Sequence, residues 1–476
     1  MSGISVTPHP ATPVPNGVRA DTGAARPPLS EDQALLIASP PAIVTVRSQA
    51  PEVLAVAGSV DDPADLTQTG WGILFASDAD PRIKEQLQPL LDLRRKQVQD
   101  PKLFRVFEGP TGVQPGQSAG SWAMSRSVSL AAPVDPRKGV PYYLLIVGTL
   151  ERIPFEFQTL FDLQWAVGRL HFDDIADYGR YAQKVVAYED PGFRPVQHKN
   201  AAAWLTRNPL DIATSMLSGA ILEDFGGADK LGERRGFSFD CFSGEQASKQ
   251  QLQDIMRGNI TGGPPALLFT GSHGAEWPMM DPAQQRRFQG ALVTQAWSSG
   301  QPLDDTNQFS GDDVPADASL HGMIAFLFAC YSGGCPAEDN FFFNPDGSKI
   351  SVAPAPLIAR LPQVMLSRGA LAVIAHVDRA FTYTFEDLLG TPQCQTLRTP
   401  LEGLMKGQPI GLAVDAINLQ WSTLAAQLGV ALGGSVPSAQ GPQPPFITNL
   451  YIARDDARNY MVLGDPAVRL RVKDLA

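Results

Sequence analysis

Short runs of consecutive apolar residues, separated by helix-like patterns, constrain the fold of this chain more than any other feature. They include YYLLIVG, PALLFTG, MIAFLFAC and ALAVIA. A strand that is apolar at every position is buried on both faces, and strands that alternate with helices are joined by parallel crossovers. The sequence therefore predicts an α/β fold whose mostly parallel sheet is covered by helices on both faces.

Net charge and composition limit the kinds of binding partner and the cellular compartment that we expect for this protein. The net charge of -11 disfavours both a phosphate backbone and an anionic membrane surface, so we expect neither nucleic acid nor membrane as a partner. The first residues, MSGISVTPHPATPVPNG, lack the basic and apolar regions of a secretory signal. Four cysteines are too few for a disulfide scaffold in 476 residues, so we expect reduced thiols and a cytoplasmic location.

The pattern along the chain divides it into three parts. Residues 1–39 are rich in proline and alanine, and we expect a disordered tail there because such a segment lacks apolar material to offset its ordering entropy. Residues 40–198 are expected to form an N-terminal α/β subdomain. After the linker PGFRPVQHKN the strand and helix patterns begin again, which predicts a second domain over residues 199–476.

Two of the buried strands end in residues that can do chemistry. PALLFTGSHG places His273 just after one strand, and MIAFLFACYSGG places Cys330 just after the next, 57 positions later. The carboxyl ends of parallel strands meet at one edge of a sheet, which is where active-site groups of such sheets lie. We therefore expect His273 and Cys330 to be close together, and a cysteine beside a base can supply a thiolate nucleophile.

Glycines flank the histidine and suggest how a reacting carbonyl would be held. Gly271 and Gly274 allow the backbone to turn tightly on either side of His273. The backbone amides of Gly274 and Cys330 are candidates for an oxyanion pocket, because both follow strand ends at the same edge.

These two motifs resemble those of a known group of enzymes. TGSHG followed by ACYSGG is similar to the His-Gly and Ala-Cys pair of the caspase-like cysteine peptidases, which include caspases, metacaspases, gingipains, separase and the bacterial CHAT proteins. PYYLLIVGTLERIPFEFQTLFDLQWAVGRL and YMVLGDPAVRL resemble the lead-in and closing segments of gingipain-like and CHAT-like chains, so the resemblance covers about residues 140–470.

The resemblance implies a gingipain-like N-terminal subdomain followed by a caspase-like catalytic domain. It implies that Cys330 is the nucleophile and that His273 is the general base or imidazolium partner. It assigns no third catalytic residue, and neither a cofactor nor a metal is expected.

Other thiols and histidines compete for these roles. His321 precedes its strand and is expected at the opposite edge of the sheet, whereas His376 follows ALAVIA and is a candidate for bordering the substrate pocket. The three remaining cysteines are expected to be structural, because none belongs to a partner motif or to a zinc-type quartet: Cys241, Cys335 and Cys394.

Substrate selection is expected to depend on two loops that line the pocket in this family. They carry Arg207, Asp211, Asp378 and Arg379. A carboxylate in the pocket would select lysine or arginine, and a guanidinium would select aspartate. Asp211 could equally be a helix cap, and Asp378 could pair with Arg379. We expect a preference for a basic residue, with Asp211, Asp378 and His376 as substrate-binding residues.

The sequence thus predicts a cysteine endopeptidase that hydrolyses protein or peptide substrates. The resemblance implies a regulated protease of a bacterial defence or cell-death pathway, with a possible regulatory protein partner. Two alternatives remain open: a catalytically silent module that binds a partner, and a thiol transferase that uses Cys330 on an acyl donor. Phosphate-loop, serine-elbow and zinc-helix motifs are absent from the sequence.

Overall fold

A computed structural model describes residues 14–29, 33, 60–225, 230–391, 393–433 and 444–476. None of the helices in these ranges has the length and apolar character needed to cross a membrane.

A ten-stranded sheet forms the centre of the molecule. We number its strands in chain order: β1 (Trp71–Phe75), β2 (Phe104–Phe107), β3 (Tyr143–Val147), β4 (Ala166–Leu170), β5 (His198–Leu205), β6 (Ser238–Ser243), β7 (Pro265–Gly271), β8 (Ile324–Phe328), β9 (Ala372–His376) and β10 (Tyr460–Gly464). In space the order is β2-β1-β3-β4-β10-β9-β8-β7-β5-β6.

The sheet consists of two sets of parallel strands that run in opposite directions. Strands β2, β1, β3, β4 and β10 are mutually parallel, as are β9, β8, β7, β5 and β6. The single antiparallel pairing, between β9 and β10, joins the two sets. The carboxyl ends of β5, β7, β8 and β9 therefore lie at one edge of the sheet.

Fifteen helices connect and cover these strands in the described residues. They are α1 (Leu66–Thr69), α2 (Pro81–Gln86), α3 (Gln88–Val98), α4 (Ala119–Met124), α5 (Phe155–Phe161), α6 (Ile175–Glu189), α7 (Ile212–Phe225), α8 (Leu231–Arg234), α9 (Lys249–Arg257), α10 (Pro282–Phe288), α11 (Arg360–Ser367), α12 (Gln395–Met405), α13 (Ile410–Ala413), α14 (Asp415–Gly433) and α15 (Pro444–Arg458).

Burial of the strands explains why they are apolar at consecutive positions. Every residue of β1, β3, β4, β7, β8, β9 and β10 is buried, so both faces of the sheet are covered along these strands. Some of the helices between them begin at polar caps; in α6, for example, Asp174 accepts a hydrogen bond from the backbone N–H of Ala176 at 3.0 Å. The predicted class, an α/β fold with a mostly parallel sheet covered by helices, is confirmed.

The predicted disordered tail is wrong for residues 14–29. This N-terminal segment contains the strand Gly17–Arg19, which pairs in parallel with Gly274–Glu276 immediately after His273. Val18 and Ala20 are buried in a small apolar cluster. Their burial offsets the conformational entropy lost on ordering, which the composition of the tail alone did not predict. The remaining residues of the predicted tail, apart from 33, lie outside the described residues.

The predicted boundary between residues 198 and 199 falls inside β5, and the strands on both sides of it belong to one sheet. In addition β10, from the end of the chain, lies between β4 and β9. The division into two domains stays a prediction, but the two parts share a continuous sheet.

Candidate active site

The two predicted catalytic residues follow neighbouring parallel strands. Strands β7 and β8 pair in register, with Gly271 opposite Phe328, and His273 and Cys330 each lie two residues beyond that pair. Pairing continues past the strand ends, because the backbone N–H of Ser272 donates to the carbonyl of Phe328 at 3.1 Å. The sheet thus places both residues at the same edge, as the sequence predicted.

A carboxylate holds the histidine ring. The Nε2 atom of His273 lies 2.8 Å from Oδ2 of Asp211, and the side chains are 1% and 12% exposed. The other ring nitrogen, Nδ1, is buried and has no hydrogen-bond partner among the described residues. An Nε2–H donated to the carboxylate leaves Nδ1 with a lone pair, which is the form of a general base.

Asp211 is positioned by the turn that follows β5. Leu210 adopts a φ of 63°, a conformation that bulky residues rarely take, and the chain then enters α7. The backbone N–H and the hydroxyl of Thr214 both donate to Oδ1 of Asp211 at 2.8 Å. Burial opposes ionisation of Asp211, but the hydrogen bond and charge of His273 prevail and lower the pKa of the carboxyl to about 2.

The thiol of Cys330 is fully buried. It donates to the carbonyl of Ala380 at 3.6 Å and accepts from the backbone N–H of Ala380 at 3.2 Å. Burial raises the pKa of the Cys330 thiol to about 12, although the charge of Arg379 and the Ala380 amide act in the opposite direction. In this arrangement the thiol is protonated at neutral pH.

The turn after Cys330 is tightly constrained. Tyr331 has a φ of 59°, and its backbone N–H donates to the carbonyl of Asp378 at 2.8 Å. A Cβ atom added to Gly274 would lie 1.8 Å from the carbonyl oxygen of Cys330, so only glycine fits there. The backbone of Gly274, one of the two predicted oxyanion donors, therefore lies directly against the backbone of Cys330, the other.

Comparisons with known proteins are distant. No protein-family model and no curated protein matches the chain. A solved structure described as a protease aligns with a TM-score of 0.42 and 13% identity over 84% of this chain and 78% of its own. Two structures of the Saccharomyces cerevisiae separase–securin complex align with TM-scores of 0.33 and 0.31 and identities of 9% and 8%, over 69% of this chain.

This chain spans only 16% of the separase chains. At such identities and scores the likeness carries no information on the roles of individual residues. Those roles rest on the contacts within the site.

The structure gives Asp211 a different place from the one expected. It is engaged by His273 and Thr214, so its carboxylate is not free at the base of a specificity pocket. Asp211 also caps a helix, as the alternative interpretation held, because the same carboxylate accepts a hydrogen bond from the first-turn N–H of Thr214. The sequence predicted that Asp211 lies in a loop near the site. It could not show that β5 lies next to β7, which is what brings Asp211 to His273.

Asp378 and Arg379 are also occupied. Asp378 accepts from Nδ2 of Asn340 at 2.6 Å, and burial together with the charge of Asp339 raises the pKa of Asp378 to about 6. Arg379 is fully buried and donates to Asp339 and Glu276. Neither side chain offers a free charge to a substrate. The expected preference for a basic residue before the scissile bond is therefore not supported by the residues from which it was predicted.

His376 is part of the framework beside the site. Its Nδ1 lies 2.8 Å from the carbonyl of Asp378, and its Nε2 lies 3.0 Å from the carbonyl of Asp456. Both ring nitrogens are used, so His376 fixes the loop after β9 instead of facing a substrate. His321 lies at the amino end of β8 against Phe193, away from the site, as predicted.

Proposed function

We propose that the protein is a cysteine endopeptidase in which Cys330 is the nucleophile, His273 the general base and Asp211 the residue that orients His273. The observation that carries the proposal is the 2.8 Å contact between Oδ2 of Asp211 and Nε2 of His273. His273 follows β7, and Cys330 follows the neighbouring parallel strand β8. This contact fixes the tautomer in which Nδ1 can accept a proton.

The reaction follows from the chemistry of these groups. Nδ1 of His273 takes the thiol proton as Sγ of Cys330 attacks a peptide carbonyl, and the backbone N–H of Gly274 stabilises the developing oxyanion. The protonated His273 then donates to the leaving amine. Water, deprotonated by His273, releases the acyl group from Cys330. Asp211 stays ionised throughout and balances the charge of the imidazolium.

The test is hydrolysis of a fluorogenic peptide library by the wild type and by Cys330→Ala. We expect a loss of at least roughly 1,000-fold in turnover, because removal of a covalent nucleophile eliminates the acyl-enzyme route. Cys335→Ala is the matched control, since Cys335 is equally buried only five positions away. Wild-type turnover in Cys330→Ala would refute Cys330 as the nucleophile, whereas no hydrolysis by the wild type would favour a module that only binds a partner.

The regulated role in a bacterial defence or cell-death pathway rests on the sequence resemblance alone and stays a prediction. Deletion of the gene, with survival of infected or stressed cells as the readout, would test it.

A further inference from the structure

Residues 15–19 of the N-terminal segment run through the candidate active site in an extended conformation, before the chain turns back on itself. The backbone N–H of Asn16 donates to the carbonyl of Ala380 at 2.8 Å, and the carbonyl of Asn16 accepts from the N–H of Gly274 at 3.1 Å. Pro15 forms an antiparallel bridge with Phe381. Main-chain hydrogen bonds thus hold the segment between the loops after β7 and β9, as a bound peptide is held when it adds to a sheet.

The nucleophile and the oxyanion donor both lie at the peptide bond between Asn16 and Gly17. A Cβ atom built on Gly17 would lie only 3.2 Å from Sγ of Cys330, so the thiol lies beside the backbone of this residue. The carbonyl bound by Gly274 belongs to the same peptide bond. One bond of the chain therefore lies where the scissile bond of a substrate has to lie.

We propose that the Asn16–Gly17 bond is an intramolecular substrate that Cys330 cleaves, and that the site selects asparagine before the cleavage point. This inference rests on the proposed function. Sγ of Cys330 attacks the carbonyl carbon of Asn16 while its proton passes to His273. The C–N bond then breaks, His273 returns the proton to the amine of Gly17, and water hydrolyses the thioester to leave a free Asn16 carboxylate.

The side chain of Asn16 gives the proposed selectivity a physical basis. It is 1% exposed, and its Nδ2 donates to the carbonyl of Ser272 at 2.6 Å. Aspartate in the same place would set a carboxylate oxygen against that carbonyl, with no proton to donate. A site that hydrogen-bonds a substrate N–H strongly rejects an analogue that lacks it, so we expect at least about 100-fold preference for asparagine over aspartate.

The flanking residues hold the segment firmly in place. Val18 is fully buried with Ala275, Val293 and Trp297. Farther along, Arg26 forms an ion pair with Glu276, three residues after His273. Tethering and docking make the reaction unimolecular, so its rate is expected to be independent of protein concentration.

Intact mass and N-terminal sequencing of the purified full chain test the cleavage. We expect the wild type to yield a chain that begins at Gly17, and Cys330→Ala to remain whole. Cys330→Ala also measures any uncatalysed breakage at Asn16. Asn16→Asp should slow the cut by at least about 100-fold for the reason given above. A wild-type chain that stays whole, a cut elsewhere, or an equal cut in Cys330→Ala would overturn the inference.

A second pair of variants tests whether docking matters. Val18→Asp places a carboxylate in the apolar cluster and should slow the cut at least about tenfold, because the burial of a charge expels the segment. Arg19→Ala, at the neighbouring exposed position, should cut at the wild-type rate. Equal rates in the two variants would contradict the docked arrangement.

Hydrolysis of added peptides separates this inference from the proposed function. Four peptides identical but for asparagine, aspartate, arginine or leucine before the scissile bond are given to the wild type and to Val18→Asp. Cleavage that needs Cys330, combined with an intact Asn16–Gly17 bond, would leave the function standing and refute the self-cleavage. Preference for arginine would refute the asparagine selectivity. Absence of any cleavage in both chains would refute the function itself.

Discussion

Asp211 is the residue whose role depends most closely on single hydrogen bonds. Its Oδ1 accepts both the N–H and the hydroxyl of Thr214, and its Oδ2 faces Nε2 of His273. In Asp211→Asn the amide oxygen is needed by Thr214, so the NH₂ group turns to His273. Nε2 must then accept, and the proton moves to Nδ1, which can no longer act as a base.

We expect Asp211→Asn to lower turnover by roughly 100- to 10,000-fold, as a wrong histidine tautomer does in triad enzymes. The pKa of Asp211 is lowered from 3.8 to about 2, so its ionisation stabilises the fold above pH 3.8, and this contribution is lost as the pH falls through about 2. The variant should therefore lose about 2 kcal/mol of stability at pH 7. Peptide hydrolysis and urea denaturation measure the two effects.

Asp281→Asn is the control for this prediction, because Asp281 follows His273 closely in sequence but only caps α10. Its turnover should equal that of the wild type. An Asp211→Asn chain with unchanged turnover would show that His273 needs no orienting carboxylate.

The burial of Cys330 predicts slow alkylation of its thiol. With a pKa of about 12 the thiolate is scarce at pH 7, and iodoacetamide reacts with the thiolate. In an uncut His273→Ala background, we expect the rate at Cys330 to rise about tenfold per pH unit between pH 7 and 9. Mass spectrometry of the Cys330 peptide measures it, and a rate independent of pH would contradict a buried, protonated thiol.

At the scale of elements, the loop after β9 and the strand after His273 are joined by a buried cation. Arg379 donates to Asp339 at 2.9 and 2.6 Å and to Glu276 at 2.9 Å. Burial opposes the ionisation of Glu276, but Arg379 and Arg26 lower the pKa of its carboxyl to about 2. The loop that carries Ala380, and with it the contact to the thiol, depends on this cluster.

Arg379→Met should destabilise the protein by about 3 to 5 kcal/mol, because buried Asp339 loses its cationic partner and Glu276 keeps only Arg26. Chemical denaturation at pH 7 measures the loss. Arg287→Met is the control, since Arg287 is 56% exposed and its pair with Asp312 is worth at most about 1 kcal/mol. Equal losses in the two variants would mean that the buried cluster contributes no more than a surface pair.

At the scale of the whole molecule, the last strand completes the half of the sheet that begins the chain. Asp465, in the VLGDP motif directly after β10, is fully buried. It accepts from Nε1 of Trp71 at 2.9 Å and from Nε of Arg94 at 2.7 Å. Residues separated by almost four hundred positions thus fasten the last strand to the half of the sheet that begins the chain.

Asp465→Ala should cost about 3 to 5 kcal/mol, because it leaves the buried guanidinium of Arg94 with only Glu189 as its carboxylate partner. Asp474→Ala, which removes a surface pair with Arg471, should cost at most about 1 kcal/mol. Urea titrations followed by tryptophan fluorescence and by circular dichroism measure both. A loss in Asp465→Ala no larger than in Asp474→Ala would contradict the anchoring role.

The sequence by itself determined the fold class and the placement of two site residues. Strand β8 is apolar at every position and β7 at all but Thr270, because both of their faces are buried, and this pattern is visible without a structure. His273 and Cys330 could be placed at one edge because each follows the carboxyl end of such a strand. These are local properties, fixed by burial and chain direction.

Only the tertiary structure decided which residues meet at that edge. The contact of Asp211 with His273 depends on β5 lying beside β7, and the seating of Asn16 and Gly17 against Cys330 depends on a parallel pairing between residues more than 250 positions apart. A proline-rich start predicts disorder when judged on its own composition. It becomes ordered because the rest of the chain supplies the apolar cluster and the backbone hydrogen bonds that offset its entropy.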